Sequence, residues 1–130
     1  MNARLRDFFD GELDVVLAGL PQRVHDLLDE VPMHVEDYPS SEILESMGVG
    51  RDELCGLYSG VPLGDRSVWH AARLPDVVTI YREGILHASS GADGHLSQRE
   101  LRRQIRITVL HELGHHHGLD EEELAELGYG

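Results

Sequence analysis

Apolar positions in the first third of the chain recur at three- and four-residue intervals. Leu5, Phe8, Phe9, Leu13, Val16 and Leu17 follow this spacing, which predicts an amphipathic helix over residues 4–19. Gly19 and Pro21 end it, and Pro21 suits the first turn of a second helix reaching Leu28, with Val24, Leu27 and Leu28 on one side. Met33–Tyr38 reads as a strand closed by Pro39. Ser41–Met47 reads as a short helix with a serine cap and a stop at Gly48. Leu54–Tyr58 is a second strand. Residues 59–76 are rich in Gly and Pro and predict a long loop. Val77–Tyr81 is β-branched and bounded by turn residues, which predicts the clearest strand, and Ile85–His87 is expected to extend the sheet. Ser89–Leu96 is a turn-rich loop.

The next segment is the most informative. Ser97-Gln98-Arg99-Glu100 matches a capping box, in which the Ser97 hydroxyl takes a backbone N–H and Glu100 reaches back. The helix it starts is expected to run to His117, with Gly118 just past its end. At about 100° per residue, Leu101, Ile105, Thr108, Val109, Glu112 and His115 share one stripe, and His111 lies at its edge. Arg99, Arg102, Arg103 and Arg106 are expected to face solvent opposite it. Leu110 and Leu113 need a cover, and a last helix capped by Asp120 and presenting Leu124 and Leu127 would supply one.

Composition narrows the function classes. The 130 residues predict a single domain over 1–130, and 41% hydrophobic with 27% charged residues is ordinary for a soluble globular chain. The net charge of −13 argues against nucleic-acid or anionic-membrane partners, because phosphate binding needs concentrated positive charge. All 11 basic residues are Arg, which excludes Schiff-base lysine chemistry and a Walker-type phosphate loop. Cys55 is the single cysteine and cannot form an internal disulfide; it reads as a small buried hydrophobe. With no apolar stretch of membrane-spanning length and no signal-peptide core, the expected location is cytoplasmic.

His111-Glu112-Leu113-Gly114-His115 is an H-E-x-x-H pattern on the long helix. Two His four residues apart project from one helical face and can share one metal ion, with zinc the expected one. Glu112 is placed to take a proton from a metal-activated water. His117 lies about 160° from His115 around the helix, so it cannot share that metal, and His116 also points away from His111; both read as structural. Zinc hydrolases use three protein ligands and keep one position open. Glu121, six residues past His115, is favoured over Asp120 as the third, because Asp120 has a competing task as helix cap. His25, His34, His70, His87 and His95 are scattered and read as structural or surface residues.

Three segments make the chain resemble a known family: Leu57-Tyr58-Ser59-Gly60-Val61-Pro62-Leu63, Pro75-Asp76-Val77-Val78-Thr79-Ile80-Tyr81-Arg82, and Arg106 to His116 followed by Gly118. Leu127-Gly128-Tyr129 is similar as well. They resemble the small bacterial minimal zincin-like metallopeptidases. The resemblance implies an α+β zincin-like fold with a small mixed sheet, an active-site helix and a short C-terminal helix. It implies zinc held by His111, His115 and an acidic third residue, usually Asp where this chain has Glu121. The methionine turn of metzincins proper is missing, since Met1, Met33 and Met47 all precede the helix. The first functional expectation is therefore a zinc-dependent peptidase acting on a peptide or protein laid along a strand edge, either Leu54–Tyr58 or Val77–Tyr81, with Tyr129 or His70 as candidate helpers for the oxyanion. The alternatives are a metal-dependent non-peptidase hydrolase of ribonuclease type, which Glu112 and the negative charge disfavour, and a binding module whose metal is structural and fully closed by protein ligands.

Overall fold

A computed structural model describes residues 1–60, 76–117 and 120–122. The order of elements is α1 (Ala3–Ala18), α2 (Gln22–Glu30), β1 (Met33–Glu36), α3 (Ser41–Met47), β2 (Gly56–Ser59), β3 (Val77–Tyr81), α4 (Arg82–Ser89) and α5 (Gln98–His116). Most boundaries fall within two residues of the sequence expectation. The Asn2 side chain caps α1 by accepting the Leu5 N–H at 2.8 Å, and the Ser40 hydroxyl caps α3 through the Ile43 N–H. The expected long loop lies almost wholly outside the described residues, as do Leu124, Leu127, Tyr129, His70 and Gly118. Glu121 and Glu122 are helical.

The three strands form one mixed sheet in the order β1-β3-β2. β3 pairs parallel with β1 and antiparallel with β2, with Val35 opposite Ile80 and Tyr58 opposite Val78. β3 therefore sits at the centre, which removes Val77–Tyr81 as a strand edge for a peptide. Its Val78 and Ile80, on one face, are fully buried, while Val77 and Thr79 between them are only partly covered. Val78 and Ile80 join Phe9 and Leu13 of α1, Val24 of α2, Ile85 of α4, and Leu101, Ile105, Val109 and Leu113 of α5 in one core. The apolar stripe of α5 thus faces the interior, packing against α1, α4, β2 and β3.

Two expectations change. Ile85–His87 is not strand but the middle of α4: Ile85 and Ser89, four apart, are both buried, and the Ser89 hydroxyl donates to the Ile85 carbonyl. A three-residue apolar run has no period of its own, and burial against α5 decides it. Arg102 does not simply face solvent. Its guanidinium pairs with the Glu12 carboxylate of α1, and Gln98 donates to the same carboxylate at 2.8 Å. Glu12 is only 7% exposed, and these partners hold its carboxyl below the usual carboxylate range. The Ser97 hydroxyl does accept the Glu100 N–H, while the Glu100 carboxylate accepts from Arg103 and Gln104.

A second ionic knot ties α1 to the start of α4. Arg82 donates to both Asp10 oxygens at 2.9 and 3.1 Å and to Asp37 at 2.9 Å, and Arg6 reaches Asp37 at 2.7 Å. The Arg6 and Arg82 guanidiniums hold the Asp37 carboxyl down to about 2, from an ordinary 3.8. Arg82→Met is expected to destabilise the fold by about 2 kcal/mol, because it removes both guanidinium bonds of Asp10 and leaves Asp37 to Arg6. A depressed native pKa stabilises the fold above the unfolded value and loses that contribution as pH falls toward the native one. Wild-type stability should therefore drop between pH 4 and 2, and Asp37→Asn should flatten that drop in urea titrations.

Candidate metal centre

The C-terminal turns of α5 carry the cluster that the sequence singled out. Helical spacing sets His111 and His115 one turn apart, with their Nε2 atoms 3.2 Å from each other. Glu121 comes back over them: its carboxylate lies 2.9 Å from His115 Nε2 and 3.2 Å from His111 Nε2. Among the described residues these three form a group able to hold a metal ion. Neither Asp120 nor Cys55 belongs to it, although both line the adjoining cleft.

The spacing is a test of fit. Around a tetrahedral zinc with N and O bonds of roughly 2.0–2.1 Å, neighbouring ligand atoms stand about 3.3 Å apart. The three donor separations, 3.2, 3.2 and 2.9 Å, are close to that edge. Two imidazoles and a carboxylate are also the donor types that a hydrolytic zinc takes.

Glu112 sits beside this cluster, in the wall of the same cleft, and is not one of its three donors. It is 7% exposed, and its carboxylate is 3.8 Å from His111 Nε2. Burial pushes its carboxyl above the ordinary range, and the Glu121 charge adds to this. The two imidazoles and the backbone N–H of Tyr58 act in the opposite direction. That N–H belongs to β2, so the strand supports the helix's acid directly. The contact requires β2 to approach α5 closely, and Gly56 permits it. A Cβ there would stand 2.8 Å from Thr108 Cγ2 and 3.1 Å from Glu112 Cγ. Gly56→Ala is therefore expected to push β2 off the helix and to lower melting temperature and any hydrolytic activity together, which thermal scans and activity assays would show.

The cleft beside the cluster has a volume of about 620 Å³, and its walls come from β2 and the segment before it, from α5, and from Met47 at the end of α3. Cys55 contributes to the wall, half-buried and packed against the core, as the reading of a small hydrophobe requires. Burial and the nearby Glu112 charge push its thiol pKa up, which keeps it protonated and unreactive.

His116 is only 3% exposed, on the inner side of α5, in agreement with its structural reading. His117 is exposed and caps the helix. The partners of His116, Tyr58 and Asp76, stand in two of the segments that carry the family resemblance, but nothing in the sequence pairs them. A Tyr and an Asp 18 positions apart become neighbours only when β2 pairs with β3.

The sequence matches the model of the zincin-like metallopeptidases over residues 28–130. The chain belongs to that family. Its mixed α+β architecture is accordingly a zincin-like domain, and zincin-like metallopeptidases bind zinc in general. The match starts after α1 and near the end of α2, so the zincin-like part carries an N-terminal helix that packs on α5 from outside the matched region. No curated protein matches the chain. Among the described residues, no helix is long and apolar enough to cross a membrane.

Proposed function

We propose that this zincin-like chain is a zinc-dependent peptidase, in which His111, His115 and Glu121 hold the metal and Glu112 is the general base. The reading rests above all on the three donor atoms standing near the edge length of a zinc tetrahedron. Zinc held there supplies a Lewis acid that acidifies a water to near neutrality and polarises the peptide carbonyl. Glu112, beside the donors and outside the set, takes the proton of the attacking water and returns it to the leaving amine. The Tyr58 N–H keeps the Glu112 carboxylate aimed while it does so. Three donors among the described residues would leave a fourth position for water, which favours a catalytic over a purely structural centre.

The substrate in this reading is a peptide or protein. β2 is an edge of the sheet among the described residues, and Leu54–Tyr58 line the cleft, so an extended peptide would add to this strand as a further one. The ties between α1, α4 and α5 support a single domain over residues 1–130.

Two single substitutions test the third ligand. Glu121→Ala is expected to weaken zinc binding at least ~100-fold, since even partners outside the ligand set cost 10–100-fold. Asp120→Ala is expected to retain zinc and to cost about 1 kcal/mol as a lost helix cap. Isothermal titration of the two side by side decides it, and zinc lost from Asp120→Ala but kept by Glu121→Ala would reverse the assignment. Cleavage of a peptide mixture, read by mass spectrometry with and without chelator, tests the activity itself.

A further inference from the structure

Behind the proposed centre lies a second polar cluster. The Tyr58 hydroxyl donates to Asp76 Oδ1 at 3.0 Å, and His116 Nδ1 stands 3.4 Å from both Asp76 Oδ2 and the Tyr58 hydroxyl. The Tyr58 and His116 rings meet edge to face with centroids 5.7 Å apart. Asp76 and His116 are 12% and 3% exposed at their side chains. A Nδ1–H on His116 would face Asp76 Oδ2 while the Tyr58 hydroxyl takes Oδ1.

The cluster is built into the fold. Asp76 immediately precedes β3, Tyr58 is in β2 and His116 is in the last turn of α5. Gly60 has φ 137°, and a Cβ there would fall on the Asp76 carboxylate and 3.1 Å from the Tyr58 hydroxyl. The backbone at Gly60 thus makes room for the acid at a conformation that other residues rarely adopt.

Two of the three members adjoin the proposed centre, one along the chain and one through space. His116 follows His115, and the Tyr58 N–H holds Glu112. We propose that Tyr58, Asp76 and His116 are positioning residues, a clamp that fixes the edge strand against the last turn of α5 and so sets His115 and Glu112 relative to each other. The proposal rests on the zinc reading, and its readout is metal affinity, which needs no substrate. Buried polar groups satisfied by one another hold a single geometry, whereas loosening them lets the last helical turn, with its metal-facing His115, drift.

The test is zinc affinity of folded apoprotein, measured by competition with a chromophoric chelator and paired with apoprotein melting curves. Tyr58→Phe and Asp76→Asn are each expected to weaken zinc binding about 10-fold, the lower end for groups that orient ligands. His116→Leu should do the same, and His116→Asn, which restores a donor near Nδ1, should recover most of the loss. The Co²⁺-substituted variants should show a changed visible spectrum, because ligand geometry changes. A purely structural cluster would lower apoprotein melting and leave both zinc affinity and the Co²⁺ spectrum at wild-type values, and that result would overturn the proposal. If Asp76→Asn does not fold, Tyr58→Phe, which removes one oxygen, still decides it. A wild-type chain that binds no zinc would overturn the zinc reading itself, and this inference with it.

Discussion

Glu112→Gln is expected to lower peptide hydrolysis by roughly 10²–10⁴-fold while zinc stays bound. The amide keeps the shape of the side chain and one acceptor oxygen for the Tyr58 N–H, so the local packing of β2 against α5 survives. What it lacks is the ability to take a proton from water. His111→Ala and His115→Ala should fail differently, by losing zinc and activity together, because each removes a donor from the cluster. Metal content and turnover measured on the same samples separate base from ligand. Full activity in Glu112→Gln would mean that another group moves the proton.

Chelation is expected to destabilise the fold by about 4 kcal/mol when zinc is present at a thousand times its dissociation constant, since a ligand bound only by the native state stabilises it by mass action. For a chain of 130 residues that corresponds to a fall in melting temperature on the order of 10 °C. The effect has a structural route. Glu121 is 72% exposed at its side chain, and its carboxylate reaches back to two imidazoles on α5. A bound metal would staple this returning segment onto the helix, and removing it would leave Glu121 near two histidines with only weak exposed pairing. Calorimetry with and without chelator reads the shift. An Asp37→Asn chain should show the same metal dependence from a lower starting point, because that knot lies among α1, β1 and α4 and touches none of the three donors.

How much the sequence revealed follows from the range of each interaction. The H-E-x-x-H pair was legible because four-residue spacing on a helix is a local rule, and the Ser97 cap and buried stripe fixed which helix carried it. Glu121 was legible as a spacing after His115, and its carboxylate does lie with the two imidazoles. β3 was read to the residue because β-branching and both boundaries agree there. By contrast, Ile85–His87 has too short an apolar run to show a period, and burial against α5 made it helical. The pairing of Arg102 with Glu12, 90 positions apart, has no local trace. The meeting of Tyr58, Asp76 and His116 has no local trace either, since they come from three segments that join only after β2, β3 and α5 have packed.

The central claim is that His111, His115 and Glu121 form one zinc site. Native mass spectrometry of protein purified without immobilised-metal resin and resupplied with zinc tests it most directly. About one zinc is expected per wild-type chain, and none in a chain carrying both His111→Ala and His115→Ala. A wild-type chain without zinc, or a doubly substituted chain that keeps it, would rule out this ligand set.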